Sequence, residues 1–348
     1  MLKQVARLTL RHQQKSVARR SIRATVTFGV RTLATQAVDH INFNKVSFRE
    51  PDPSKPKIVL AYSGGLDTST QLAYLANEKG FEVAAYIANL GQDDCQTAEA
   101  QEEICEKARQ SGAYCFYNED VREDFVANYV FKGVAHNCLY EGRYLLGTAL
   151  ARPCIAKRQI EIAWNEGAKS VSHGSTGKGN DQVRFELCYL GMDPSISCVT
   201  LWREAEYLTK FQGRQDLIDY ASSHGIPVGA TKEFSYSEDE NIMHISYESG
   251  ELEDPAYPGN KVEYPGLVLK KKSVDIMDAP DTPANLTLHF EAGIPVRVVN
   301  EADGVDITGP LELFSYLNEV RWLSQESALL PFVWHMFCLT VCGCTSCL

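Results

Sequence analysis

Two stretches of this chain carry residue types that could do chemistry. The first is Ala61-Tyr62-Ser63-Gly64-Gly65-Leu66-Asp67-Thr68-Ser69, with two glycines, one carboxylate and the hydroxyls of Ser63, Thr68 and Ser69. It follows the short β-branched run Lys57-Ile58-Val59-Leu60, which reads as a buried strand. It leads into Thr70-Gln71-Leu72-Ala73-Tyr74-Leu75-Ala76, which reads as a helix. A glycine-rich turn at a helix N-terminus offers unpaired backbone N–H groups and the positive dipole end, a setting that favours an anion. Asp67 could hold the magnesium that accompanies a polyphosphate. An ordinary strand-to-helix turn with a Ser or Asp cap has the same composition. The stretch lacks the Gly-Lys-Ser/Thr ending of a Walker A loop, so kinase-type P-loop chemistry is not indicated.

The second stretch is His173-Gly174-Ser175-Thr176-Gly177-Lys178-Gly179-Asn180-Asp181-Gln182-Val183-Arg184-Phe185-Glu186, at the end of a strand that begins Lys169-Ser170-Val171-Ser172. We read it as a glycine-rich turn loaded with polar groups. Thr176, Asn180, Asp181 and Arg184 are types that fix the charged ends of an amino acid. Arg184 could clamp a carboxylate through two N–H groups, while Asn180 and Asp181 could receive an α-ammonium group. Lys178, between two glycines, suits an exposed phosphate or carboxylate. Taken singly, each of these residues could equally be a loop cap or a surface polar group; the density of the cluster is what points to a ligand.

The surrounding elements must bring the two stretches together. Phe81–Asn89 reads as a second strand and Asp94–Gly112 as a polar helix with Ala98, Ile104 and Ala108 on its buried side. Ala113–Tyr117 reads as a third strand, and Val121 to about Tyr140 as helical. Arg152-Pro153 opens a helix through Glu166, with proline in its first turn. Lys169–Gly174 and Ser195–Thr200 complete the strands, and Gly213–His224 is a further helix. Strand and helix alternating at this pace mean βαβ units: an α/β fold with a parallel sheet covered on both faces. Ligands of such sheets bind beyond the carboxyl ends of the strands, where the first glycine-rich stretch falls. From about residue 230 the pattern changes. Lys232–Glu253 is polar and loop-rich, Leu286–Phe290 and Pro295–Val299 read as strands, and Leu311–Val320 as a helix, together a second, α+β domain.

The 348 residues suit about two domains, and the net charge of −11 is uneven. Residues 1–56 hold 11 Lys/Arg against 3 Asp/Glu, whereas the remainder holds 23 against 42. An acidic body argues against general nucleic-acid binding, so any phosphate must be gripped locally. The Arg-rich, acid-poor start has the composition of a mitochondrial-type transit peptide; a cytosolic protein with a basic extension is the alternative. Seven dispersed cysteines suggest reduced, structural thiols, and the four in the last eleven residues lack paired zinc spacing. Residues 327–348 carry no charge, yet Pro331, His335, Gly343 and the cysteines make them a poor membrane span.

The first stretch resembles the pyrophosphate loop of the N-type ATP pyrophosphatases. The second, together with Tyr144-Leu145-Leu146-Gly147-Thr148-Ala149-Leu150-Ala151-Arg152-Pro153 and Met243-His244-Ile245-Ser246-Tyr247-Glu248, resembles one branch of them, the argininosuccinate synthase family. The resemblance runs from about Lys57 to Val320. It divides the chain into a basic extension (1–56), a nucleotide-binding domain (57–228), a partial multimerisation and catalytic domain (229–320) and a tail of other character (321–348).

The resemblance implies ATP-dependent condensation of citrulline and aspartate, through a citrullyl-AMP adduct, releasing pyrophosphate and AMP. It implies ATP contacts at Ala61 through Ser69, Ala88 and Gly174, with Mg²⁺ on Asp67. Aspartate would bind at Thr176, Asn180 and Asp181, and citrulline at Tyr144, Asn180, Arg184, Ser237 and Ser246. It also implies a homotetramer, and no nucleic-acid or membrane partner. Two departures stand out. Ala149 occupies a position where some members carry Ser. Beyond Val320 nothing matches the family's further citrulline contacts, a Glu and a Tyr, or its C-terminal assembly helix. The alternative is therefore a truncated, impaired or regulatory form that binds ATP or full-length subunits.

Overall fold

The run Lys57–Ala61 forms strand β2, whose side chains alternate between two buried faces. Ile58 and Leu60 enter one core and Val59 the other. This two-sided burial is why the strand reads as a continuous apolar run rather than as an alternating one. In this computed structural model the described residues are 41–142, 144–227, 237–248, 254–256 and 285–324. The presequence reading and most of the tail, with its four cysteines, lie outside them.

β2 leads into helix α1 (Leu66–Asn77), β3 (Glu82–Asn89), α2 (Ala98–Gln110) and β4 (Cys115–Asp120). Helices α3 (Arg122–Phe125) and α4 (Phe131–Ala135) are joined without a break by a π-helical segment, Val126–Val130. α5 (Gly147–Glu166), β5 (Ser170–Ser172), α6 (Asn180–Met192), β6 (Ser197–Val199), α7 (Ala205–Lys210) and α8 (Arg214–Ser223) complete this unit. With strand β1 at Lys45–Ser47, the strand order is β1-β4-β3-β2-β5-β6. All pairs from β4 to β6 are parallel, as expected, and β1 pairs antiparallel with β4.

The chain runs outward from β2 through β3 to β4, then returns to β5 on the other side of β2. The order therefore reverses between β2 and β5, and the crevice at such a reversal is where sheets of this kind bind ligands. Gln159, fully buried on α5, marks that point. Its Nε2 donates to the carbonyls of Val59 (2.9 Å) and Ser172 (2.8 Å), and its Oε1 accepts from Tyr189 Oη (2.5 Å).

Several expectations need correction. β1 lies inside the segment set apart as a basic extension; a three-residue polar edge strand carries no apolar signal. α2 starts at Ala98, capped by Thr97 Oγ1, which accepts from Ala100 N (3.2 Å). Asp93–Cys95 is a separate 3₁₀ turn, and Ala98 is exposed because it opens the helix before the buried stripe begins. α5 starts at Gly147, after Leu146 in a left-handed conformation, so Pro153 lies inside the helix rather than at its start. The glycine-rich turn read over residues 173–186 ends at Gly179, and Asn180, Asp181 and Arg184 occupy the first turns of α6.

Within the stretch read as loop-rich, β7 (Ser237–Glu240) and β8 (Ile245–Glu248) form an antiparallel hairpin. β9 (Thr287–Glu291), β10 (Ile294–Asn300) and β11 (Val305–Ile307) make a three-stranded antiparallel sheet, followed by α9 (Pro310–Ser324). Leu313, Phe314 and Leu317 of α9 and Val298 of β10 are at most 2% exposed and join the core on the α5 face of the large sheet, where Phe314 meets Phe131. Among the described residues no helix is long and apolar enough to cross a membrane.

Candidate functional site

Both glycine-rich stretches follow parallel strands and end in a helix whose N-cap is glycine. Gly65 precedes α1 and Gly179 precedes α6, each in an extended conformation, and no side chain caps either helix. The leading N–H groups of both helices are thus available to an anion. Gly64 reaches the required turn with φ +75°, a conformation that a side chain rarely adopts.

Inside the first stretch the hydroxyls are tied to one another. Ser63 Oγ lies 3.1 Å from Thr68 Oγ1, Ser63 N donates to Thr68 Oγ1 (3.3 Å), and Thr68 Oγ1 donates to the Gly65 carbonyl (3.4 Å). Ser63 stays exposed. Ser69 and Tyr62 do not face the cleft: both are buried, their hydroxyls 3.0 Å apart, and burial pushes the Tyr62 phenol up to about 12. Their side chains anchor the turn from below, because the residues flanking the strand end alternate into the core. Asp67 reaches solvent at the start of α1, but the protein around it strips enough water to raise its pKa, with Arg214 pulling in the opposite direction. Ala88, at the end of β3, is 7% exposed, and its carbonyl accepts from Gln92 Nε2 (2.8 Å).

The two stretches touch. A methyl group added at Gly174 would lie 2.7 Å from Thr68 Cγ2, so glycine is what permits the approach. With its amide oriented to satisfy both neighbours, Gln71 of α1 donates to the His173 carbonyl (3.2 Å) and accepts from Trp202 Nε1 (2.9 Å).

The second stretch is organised by charge. Arg152 donates through Nε (2.9 Å) and Nη2 (2.8 Å) to Asp181 Oδ2, while Arg184 Nη1 donates to Asp181 Oδ1 (2.7 Å). Burial pushes the Asp181 carboxyl up, but the two guanidiniums outweigh it and hold its pKa below the usual range. Arg152 Nη2 also reaches Asp239 Oδ1 (3.3 Å) on β7, and Asp239 is the register partner of Ser246 on β8. The hairpin that carries Ser246 is thereby drawn to the first turn of α6. Thr176, Lys178 and Asn180 are exposed along the same edge. The side chain of Ser237 lies outside the described residues.

Tyr144 is 41% exposed and stands edge-on to His244, ring centres 6.3 Å apart. His244 Nε2 lies 3.0 Å from Thr148 Oγ1, so the hydroxyl beside Ala149 is already engaged. The turn between β7 and β8 docks onto the first unit. Ile242 N donates to the Leu90 carbonyl (2.7 Å), and Asn241 Nδ2 donates to the Gly147 carbonyl (3.3 Å). A side chain at Gly147 would strike His244.

The structure therefore brings together 63–68, 174–184, Arg152 and the β7–β8 hairpin. Sequence reading missed Arg152, His244, Asn241 and Gln159 as supports. The first two lie inside quoted motifs; nothing local marks the others.

A family model described as the arginosuccinate synthase N-terminal HUP domain matches residues 57–227, and one described as the arginosuccinate synthase C-terminal domain matches 236–322. The chain is 56% identical over 266 residues to argininosuccinate synthase of Thermotoga petrophila, covering 76% of this chain and 62% of that one. It is 51% identical over 267 residues to the argininosuccinate synthases of Mus musculus and Homo sapiens, covering 77% of this chain and 62% of each. The chain thus spans 62% of the length of these relatives.

Proposed function

This chain belongs to the argininosuccinate synthase family, and from that premise we propose that it joins citrulline to aspartate at the expense of ATP, releasing AMP and pyrophosphate. The observation that carries the reading is the meeting of two uncapped, glycine-led helix N-termini at the carboxyl ends of adjacent strands, closed by Gly174 against Thr68. One N-terminus suits the leaving pyrophosphate and the other an amino acid, side by side.

In the first half-reaction the ureido oxygen of citrulline attacks the α-phosphorus, and the bond to pyrophosphate breaks. The α1 N–H groups and the Ser63 and Thr68 hydroxyls receive the charge that builds on the leaving group. Ala88, small and at the strand end, leaves room for the purine. Magnesium binds through one or two carboxylates plus substrate phosphates, and the solvent-reaching Asp67 carboxylate at this helix end fits that pattern. When bound there the ion would neutralise the developing negative charge.

In the second half-reaction the α-amine of aspartate attacks the activated ureido carbon, a C–N bond forms and AMP leaves. Thr176, Asn180 and Asp181 hold the aspartate. Clamped between Arg152 and Arg184, Asp181 is a poor base, so its part is to orient an amine that arrives neutral. Rate enhancement then comes chiefly from holding the reactants in line. Tyr144, Asn180, Arg184, Ser237 and Ser246 form the citrulline side.

The test is pyrophosphate and argininosuccinate formation by the purified chain, with light scattering for its mass. We expect pyrophosphate release that requires citrulline, and argininosuccinate that requires aspartate as well. ATP binding without either product would overturn the catalytic reading and favour a nucleotide-binding regulatory form.

A further inference from the structure

The end of β5, the second turn of α6 and strand β6 bring together three side chains that the proposed reaction does not use. The donor atoms of His173, Glu186 and Cys198 all lie within 4.8 Å of one another. His173 is 1% exposed, and neither of its ring nitrogens has a hydrogen-bond partner. Its Nε2 lies 4.0 Å from Glu186 Oε1, beyond hydrogen-bond range, while its ring stacks on Phe185 at 5.2 Å. A buried imidazole with both nitrogens unpaired calls for an explanation, since such groups are normally satisfied. Loss of water, partly offset by Glu186, lowers its pKa to about 4 and keeps it neutral, the form that offers a lone pair.

We propose that His173, Glu186 and Cys198 form a binding site for a zinc-class divalent cation. One imidazole nitrogen, one carboxylate oxygen and one thiolate make a mixed set typical of that class. Bonds of about 2.0–2.3 Å require donors roughly 3.3–3.8 Å apart, so the three need draw in by only about 1 Å. Binding converts the Cys198 thiol to a thiolate and releases its proton to solvent. The competitor is Arg203, whose Nη1 donates to Glu186 Oε1 (2.7 Å) and Oε2 (3.0 Å). Thr200 Oγ1 also donates to Glu186 Oε1 (3.3 Å) and sits 3.6 Å from Cys198 Sγ. The cation must therefore take Glu186 from Arg203. Removing that guanidinium should strengthen binding, an effect opposite in sign to ordinary loss of an ion pair.

The experiment is cobalt titration of the full chain, carried on a histidine-free tag, with Cys338, Cys342, Cys344 and Cys347 replaced by serine so that they do not compete. We expect one cobalt per chain with a thiolate charge-transfer band, displaced by zinc. Cys198→Ser should abolish the band, Glu186→Gln should weaken binding by more than about tenfold, and Arg203→Gln should tighten it. Cys198→Ser is nearly isosteric, and circular dichroism of the variant is the check that it folds. Absence of the band with Cys198 intact, or its persistence in Cys198→Ser, would overturn the proposal.

Discussion

At the start of α1 the polar groups are hydroxyls and backbone N–H groups, held to one another by short-range hydrogen bonds, with Asp67 alone supplying charge. At the start of α6 they are ions, with Asp181 clamped by two arginines from different helices. The two helix ends share strand context, glycine N-caps and the absence of a side-chain cap, yet they are furnished with opposite materials. Backbone donors suit a polyphosphate, whose oxygens present charge in every direction. A fixed ion network suits a zwitterion, which must be gripped at two ends of opposite sign. Even the two carboxylates move apart: Asp67 is pushed up by lost solvation, and Asp181 is held down by its guanidiniums despite it.

The contrast can be broken most severely at Asp67. Asp67→Ala should lower pyrophosphate release by about 1,000-fold, since in the proposed reaction it removes the carboxylate that would hold the ion on the leaving pyrophosphate. Near-normal adenylation in this variant would defeat the assignment of that site. Next comes the contact between the sites. Gly174→Ala should reduce turnover by about 100-fold, because the added methyl must push Thr68 aside and misplace the reactants. Gly179→Ala is the control, as its nearest neighbour, Thr176 Oγ1, is at an ordinary 3.7 Å and its φ is negative. If both variants behave alike in steady-state kinetics, closeness of the loops is not what matters.

A milder change should separate the two materials. Arg184→Lys keeps the charge but loses the planar fork, so the citrulline KM should rise about tenfold while the ATP KM stays put. The smallest effect is on stability. Asp181, with its pKa depressed by folding, contributes stability that is present above the unfolded value of about 3.9 and lost as pH falls through the folded value. Asp67, with its pKa raised, is the reverse: the stability tied to its protonated form is fully present below the unfolded value of about 3.9 and lost as pH rises through the folded value. At pH 7 Asp181→Asn should therefore destabilise by about 1 kcal/mol. Asp67→Asn should raise the melting temperature in the absence of nucleotide. Denaturation curves from pH 3 to 8 check both signs.

Much of this arrangement was legible in the chain because short apolar runs and glycine clusters are local signals. Ile58, Val59 and Leu60 announced a strand buried on both faces, and two glycine-rich stretches after strands located the cleft. What escaped was non-local. The helical start at Asn180 was hidden by a polar first turn, and the start of α5 by the rule that Pro153 begins a helix. Tyr62 and Ser69 belong to the first stretch, yet their side chains turn into the core, which local sequence does not show. The partnership of Arg152 with Asp181 spans 29 positions and exists only once α5 packs on α6. β1 gave no signal because an edge strand of Lys-Val-Ser buries little.

Gln159 sets the scale of the whole device. One amide grips the backbones of β2 and β5 just before each loop departs, and neighbouring strands in any sheet stand about 4.8 Å apart. On the proposed reading, the gap between nucleotide and amino acid would be ruled by the pitch of the sheet, not by the loops. Loop sequence can drift, and specificity with it, while the ruler stays the same length.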